Sequence, residues 1–132
     1  MKHSSSGFTV IELIVIIVIL AASGFLFFTQ KNALESAGRD DQRKTAINAI
    51  HYSLEEVYFA NNGSYPRTVS SDILPSVDPA LFQDPAGNRI GEANSDYRYE
   101  PTNCSDAGCT AYSLRTTLEN EADYVKTQRE QE

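Results

Sequence analysis

Residues 8–28 read FTVIELIVIIVILAASGFLFF, and Glu12 is the only charged side chain among them. As an α-helix, a segment of this length spans about 31 Å, which matches the hydrocarbon core of a bilayer. A carboxylate inside such a helix costs roughly 2.5–3.5 kcal/mol on insertion scales, and it usually has a partner. The segment therefore predicts a membrane helix in which Glu12 has a specific role.

Three interpretations of this helix compete. A secretory signal peptide has a shorter apolar core that is followed by a small-residue cleavage site. Residues 21–24, Ala-Ala-Ser-Gly, imitate such a site, but more apolar residues follow them and Glu12 does not fit. A plain membrane anchor accounts for the length but not for Glu12. A membrane helix that later leaves the bilayer and packs against copies of itself accounts for both features.

The third interpretation coincides with a family resemblance. Residues 6–14, Ser-Gly-Phe-Thr-Val-Ile-Glu-Leu-Ile, resemble the class III signal of type IV prepilins and the related pseudopilins. The resemblance implies that residues 1–7 form a leader, that cleavage falls between Gly7 and Phe8, and that Phe8 is N-methylated. It further implies that Glu12 of one subunit neutralises the Phe8 amine of its neighbour and sets the register of a filament.

The resemblance also implies a function and a set of partners. It predicts a structural subunit rather than an enzyme, assembled into a homo-oligomeric filament of the type IV pilus kind. The partners are a prepilin peptidase and N-methyltransferase, an inner-membrane platform protein and an assembly ATPase. One alternative is a pseudopilin of a type II secretion or competence system. An alternative from another class is a membrane-anchored extracellular binding domain that never polymerises.

One departure from the family pattern leaves the kind of filament open. Many major pilins have a helix-bending proline about twenty residues into the mature chain. The first proline here is Pro66, and Gly24 is the only helix breaker in the apolar segment. If part of the helix loosens in a filament, the stretch around Gly24 is therefore the candidate.

Charge around the helix bears on its orientation. Lys2 favours a cytoplasmic N-terminus, whereas a count of the basic residues that follow the helix favours the opposite. Those residues are Lys31, Arg39, Arg43 and Lys44. The leader motif and the cysteine pair outweigh this count, so the expected location is the cytoplasmic membrane before assembly, with the N-terminus inside, and the cell surface afterwards.

Residues 29–61 predict a second, amphipathic half of the same helix. Apolar residues recur there at spacings of three and four, which is typical of a helix with one buried face. They are Ala46, Ile47, Ala49, Ile50, Leu54, Val57 and Tyr58. The opposite, solvated face is expected to carry Arg43, Lys44, Asn48, Glu55 and Glu56. Gly63 should end the helix, and residues 58–66, YFANNGSYP, are similar to the helix exit of the same family.

The rest of the sequence, from residue 62 onward, predicts a connecting region followed by a small sheet. Residues 62–96 read as a connecting region, with a helical turn capped by Asp78 ahead of Pro79 and a chain reversal over residues 84–88. Residues 97–127 predict three antiparallel strands, at 97–100, 112–118 and 123–127, and residues 128–132 a solvated tail. The expected fold class is α+β, with a long helix packed on an antiparallel sheet as in pilins.

Cys104 and Cys109 are the only cysteines. In a membrane-anchored chain, an even pair in a short polar segment favours a disulfide formed in an oxidising compartment. Two free thiols in a reducing compartment are the alternative. A zinc site is short of ligands, because no histidine lies nearby. The disulfide is expected in the first hairpin loop.

Other functions find little support in the composition. The net charge of −7 argues against direct nucleic-acid binding by a single subunit, because phosphate contacts need a basic face. No nucleophile with a paired histidine and no phosphate-binding glycine loop is evident. No cofactor is expected. Calcium is the one ion worth considering, and it would require Asp96, Asp106 and Glu119 to meet in the folded chain.

Overall fold

A computed structural model describes residues 7–129, so residues 1–6 of the predicted leader and residues 130–132 of the predicted tail lie outside the described part of the chain. The chain divides into two compact units, one up to Glu35 and one from Ser36 onward. Helix α1, Val10–Tyr52, contributes residues to both. In the second unit it packs against a three-stranded antiparallel sheet, so the predicted α+β class is confirmed.

The helix ends where the sequence predicts. After α1, the chain makes a π-helical segment, Ser53–Tyr58, and a last α-helical turn, α2, Phe59–Asn62. Gly63 adopts a left-handed conformation with a φ of 67°, and its N–H donates to the carbonyl of Phe59 at 2.8 Å. Glycine adopts this conformation without the steric cost of a Cβ, which explains why the helix stops here.

The π-helical segment was not predicted, and it alters the buried stripe. Ile47, Ile50 and Leu54 are fully buried as expected, whereas Val57 is 36% exposed. A π-helical turn contains more residues than an α-helical turn, so Val57, which lies inside this segment, does not follow the 3.6-residue period of the preceding helix. The prediction that Val57 belongs to the buried stripe was therefore wrong.

The sheet consists of β1, Tyr97–Ser105, β2, Gly108–Thr116, and β3, Tyr124–Thr127, in that order. The three predicted strands are confirmed, but β1 and β2 both extend further toward their hairpin than expected. Cys104 and Cys109 are direct cross-strand partners, and only Asp106 and Ala107 separate the two strands. The disulfide is confirmed, but it lies within the strand ladder rather than in a loop.

The core lies between the helix and the sheet. Tyr65, Tyr97 and Tyr112 are its largest fully buried side chains. The hydroxyls of Tyr65 and Tyr112 both donate to the carboxylate of Glu55, at 3.0 and 2.7 Å. Glu55 was predicted on the solvated face, but it is half-buried because these two phenols need an acceptor. Burial, followed by this hydrogen bond, raises the pKa of Tyr65 to about 12.

The connecting region matches its predicted turns. Asp78 caps the 3₁₀ helix Pro79–Phe82 by accepting the N–H of Ala80 at 2.9 Å. The buried carboxylate of Asp84 accepts the N–H groups of Ala86 and Asn88 at 2.9 Å and so holds the following reversal. Both turns rest on aspartate side chains that bond to nearby backbone, which is why the sequence predicted them.

The first residues of the predicted tail make defined contacts. The side chain of Gln128 accepts the N–H of Tyr112, and Arg129 forms an ion pair with Glu56 on the helix. Gln128 is half-buried, so the prediction of a solvated tail was wrong for this residue, whereas Arg129 remains exposed as predicted.

Candidate functional site

The first candidate site is the start of the apolar helix. Gly7 and Phe8 precede α1 and are exposed, with Phe8 at 74%. A Cβ added at Gly7 would meet no atom within 4 Å. The predicted cleavage junction is thus open on the surface of the described chain, although the rest of the proposed leader lies outside the described residues.

Thr9 and Glu12 form a reciprocal pair at this helix start. The N–H of Glu12 donates to the Thr9 hydroxyl at 3.3 Å, and the N–H of Thr9 donates to the Glu12 carboxylate at 3.4 Å. This arrangement is a capping box, which satisfies two amides that have no partner within the helix. Sequence reasoning singled out Glu12 but missed Thr9, although the Thr-x-x-Glu spacing ahead of an apolar run was the available indication.

The helix after the capping box exposes its apolar side chains. From Val10 to Phe28, all the large aliphatic and aromatic residues are exposed by more than a third. Within the described residues, the helical segment Val10–Asn62 is long and apolar enough to cross a membrane, judged by length and composition. Such a surface needs an apolar environment, because leaving that much hydrocarbon in water is strongly unfavourable.

Two hydroxyl side chains in this segment form their hydrogen bonds within the helix itself. The hydroxyl of Ser23 donates to the carbonyl of Ile19 at 2.7 Å, and that of Thr29 donates to Leu26 at 2.9 Å. Both bonds run back along the helix, so neither hydroxyl needs a partner from outside. Gly24, the predicted point of loosening, lies within continuous α-helix here.

A second site, which the sequence pattern did not predict, surrounds Arg43. We call it the Arg43 cluster and define it as Arg39, Asp40, Arg43, Asp96 and Glu119. Arg43 is only 6% exposed, and its guanidinium donates to Asp40 at 3.0 Å, to Glu119 at 2.8 Å and to Asp96 at 2.9 and 3.1 Å. Arg39 pairs with Glu119 through two bonds of 2.6 and 2.7 Å. The prediction that Arg43 lies on the solvated face was wrong.

The charges of this cluster are mutually stabilised. Burial by itself raises the pKa of Asp40, but the amides of Glu119 and Asn120 outweigh it and lower that pKa to about 2. Hydrogen bonds from Arg39 and then Arg43 lower the pKa of Glu119 to about 2. Burial alone lowers the pKa of Arg43, but its bonds to Glu119 and Asp96 raise it above the usual value.

The cluster joins three separate parts of the second unit. Arg43 lies on α1, Asp96 directly precedes β1, and Glu119 lies in the β2–β3 connection. Lys44 adds an ion pair to Glu121 in the same connection. Removing one member of a buried charge group leaves the others unpaired in a poorly solvated place, which is strongly destabilising. The arrangement therefore positions the sheet on the helix.

Of the three carboxylates considered as calcium ligands, two lie close together and the third does not. Asp96 and Glu119 come together, but around the guanidinium of Arg43, whereas Asp106 lies at the hairpin tip. Among residues 7–129, no group of three or more histidine, cysteine or acidic side chains is arranged to hold a metal ion.

Comparisons of this chain with protein-family models, with curated proteins and with solved structures found no match.

Proposed function

We propose that this chain is a structural subunit of a type IV pilus-like filament, which polymerises through its N-terminal helix. One observation carries the proposal. An apolar helix that directly follows a Gly7-Phe8 junction exposes its large side chains, and its single charged residue up to Phe28 is Glu12 in the first turn. Membrane lipid covers these apolar side chains before assembly, and the helices of neighbouring subunits cover them afterwards.

Glu12 acts in this proposal as one half of a pair between subunits. Cleavage after Gly7 frees the amine of Phe8, which is a cation at the end of an apolar helix. In a bundle of such helices, an unpaired carboxylate and an unpaired amine are both costly, so subunits pack where the two meet. The pair therefore selects the register, while apolar contacts supply most of the free energy of association.

The steps before assembly follow from the same proposal. A prepilin peptidase removes residues 1–7 and methylates Phe8, and an assembly ATPase with its membrane platform protein extracts the subunit. The second unit then lies outside the cytoplasmic membrane, where the Cys104–Cys109 disulfide is stable. A pseudopilin of a secretion or competence system shares every one of these steps, and filament length in electron micrographs distinguishes the two.

A different observation favours a second candidate, a membrane-anchored domain that does not polymerise. The capping box gives Glu12 a role inside its own chain, since its carboxylate accepts the N–H of Thr9. On this candidate, Glu12 stabilises the helix start and needs no neighbour.

Substitutions at Glu12 separate the two candidates in the native host. Glu12→Gln keeps an acceptor at the capping position but removes the charge, whereas Glu12→Ala removes both. The filament proposal expects both variants to abolish surface filaments while the subunit accumulates in the membrane. Glu35→Gln is the matched control, because Glu35 is an exposed glutamate on the same helix whose ion pair with Lys31, at 3.6 Å, lies within its own helix turn. Normal filaments with Glu12→Gln would contradict the charge-pair proposal.

A further inference from the structure

Two arginines lie directly opposite each other on the sheet. Arg98 of β1 and Arg115 of β2 are register partners, and Val125 of β3 is the next residue in the same row. Like charges in directly opposed positions destabilise a sheet. A pair of this kind therefore calls for something that offsets the repulsion.

The contacts within the chain offset it only in part. Arg98 donates to the carbonyls of Glu92 and Ala93 at 2.7 and 2.8 Å, and these acceptors carry no net charge. Arg115 makes one long bond, 3.3 Å, to the exposed carboxylate of Glu100. Its Nε is buried and has no acceptor among the described residues. A buried donor without an acceptor is costly. The Arg115 side chain is 42% exposed and makes only the one long bond to Glu100 among the described residues, so its outer guanidinium donors are available to an anion.

An open cavity of about 280 Å³ is lined by both arginines. Asp96 and Asp123 also line it. Asp96 is engaged by Arg43 and by the hydroxyl of Thr117, whereas Asp123 is exposed and has no hydrogen-bond or ion-pair partner among residues 7–129. The cavity thus offers two guanidinium groups and one free carboxylate.

We propose that this cavity binds a small zwitterion, a molecule that carries a carboxylate next to a cationic group. The carboxylate binds at Arg98 and Arg115, because guanidinium donors match carboxylate oxygens in charge and geometry. The cationic group binds at Asp123. A dianion such as phosphate is disfavoured, because Asp96 and Asp123 line the same space. This inference is independent of filament assembly.

Titration of the full chain in detergent micelles tests the proposal, with glycine as the zwitterionic probe and acetate and inorganic phosphate as comparisons. Amide chemical shifts of residues 93–98 and 115–117 report binding. Glycine should bind saturably, with a dissociation constant on the order of 1 mM, and more tightly than acetate or phosphate. Arg115→Gln and Asp123→Asn should each weaken glycine binding at least about tenfold, roughly one charge-assisted hydrogen bond.

Arg67→Gln is the matched control, because Arg67 is an exposed arginine that also donates to a backbone carbonyl, that of Ser105, but does not line the cavity. It should leave glycine binding unchanged. Non-saturable glycine shifts, tighter binding of phosphate than of glycine, or equal binding by Arg115→Gln would each overturn the proposal. Folding of each variant is read from the same spectra, so lost binding is distinguished from lost structure.

Discussion

The two units of this chain contain different parts of helix α1, and these parts differ in the side chains that they expose and bury. Up to Phe28, α1 exposes its large apolar side chains, and its only charged residue there is Glu12 in the first turn. From Ser36 onward, α1 buries apolar side chains and also buries a charged group, Arg43, among three carboxylates. In the first unit the apolar side chains are exposed, whereas in the second the charges of the Arg43 cluster are paired with one another.

The difference shows where each unit obtains its stability. The second unit has a core of helix and sheet residues, and its ion pairs add specificity to that core. The first unit is stable as a helix only where lipid or other helices cover it. The seven tyrosines lie at positions 52, 58, 65, 97, 99, 112 and 124, so tyrosine spectroscopy reports on the second unit alone.

The largest expected effect comes from opening the Arg43 cluster. Arg43→Ala should lower the free energy of unfolding of the second unit by about 3–5 kcal/mol, because it leaves Asp40, Asp96 and Glu119 without their shared partner. Urea unfolding of the full chain in micelles, followed by tyrosine near-ultraviolet circular dichroism, measures it. Asp41→Ala, at an exposed neighbouring position, should change the value by less than about 0.5 kcal/mol. Equal stabilities of the two variants would show that the cluster contributes nothing to holding the sheet.

A smaller difference is expected between two glycine variants, one of them at the β1–β2 hairpin. Gly108 has a φ of 119°, and a Cβ there would lie 2.3 Å from the Ser64 hydroxyl oxygen. Gly91 has a similar φ of 88° but no atom within 4 Å of such a Cβ. Gly91→Ala therefore measures the backbone cost alone, about 1–3 kcal/mol. Gly108→Ala should cost about 1–3 kcal/mol more, from overpacking. The same unfolding measurement gives both values, and equal costs would mean that Ser64 moves aside freely.

The third effect, on the pH dependence of the stability, is the smallest near neutral pH and becomes measurable only when the pH is lowered. Asp40 and Glu119 have pKa values of about 2 in the folded chain, below the usual values near 4 of the unfolded chain. Between these values the unfolded state binds more protons, so stability is fully present above about pH 4.5 and falls as the pH drops toward about 2. Glu119→Gln should reduce this slope, whereas Asp41→Asn should not. Identical slopes in the wild-type chain and Glu119→Gln would refute the assignment to Glu119.

The sequence predicted those features that depend on local pattern. The apolar run, the helix end at Gly63, the Asp78 cap and the alternating strands all arise from neighbours along the chain. The Arg43 cluster could not be predicted, because its members lie up to 80 positions apart and a helical pattern does not distinguish a buried arginine from a solvated one. The π-helical segment was also missed. Its Glu55 carboxylate accepts the hydroxyls of Tyr65 and Tyr112, which lie 10 and 57 positions away, and a helical pattern does not show such contacts.

The capping box at the candidate assembly segment is a different case. Its residues, Thr9 and Glu12, are three positions apart, so the pattern was present in the sequence. The resemblance to prepilins implies a different role for Glu12, that of a partner for the Phe8 amine of a neighbour. Under the proposed function the two roles can follow one another in time, with Glu12 capping its own helix before assembly and pairing with a neighbour afterwards. They differ in the chemistry that must happen at Gly7 and Phe8.

N-terminal processing at Gly7 and Phe8 is measured by mass spectrometry of the chain purified from its native membrane or filament fraction. We expect a mature chain that lacks residues 1–7 and begins with Phe8 bearing one methyl group on its amine. A Gly7→Leu variant, which blocks close approach of a peptidase to the scissile bond, should retain Met1. A wild-type chain that retains Met1 or Gly7 in that fraction would refute the proposal that it is a processed filament subunit.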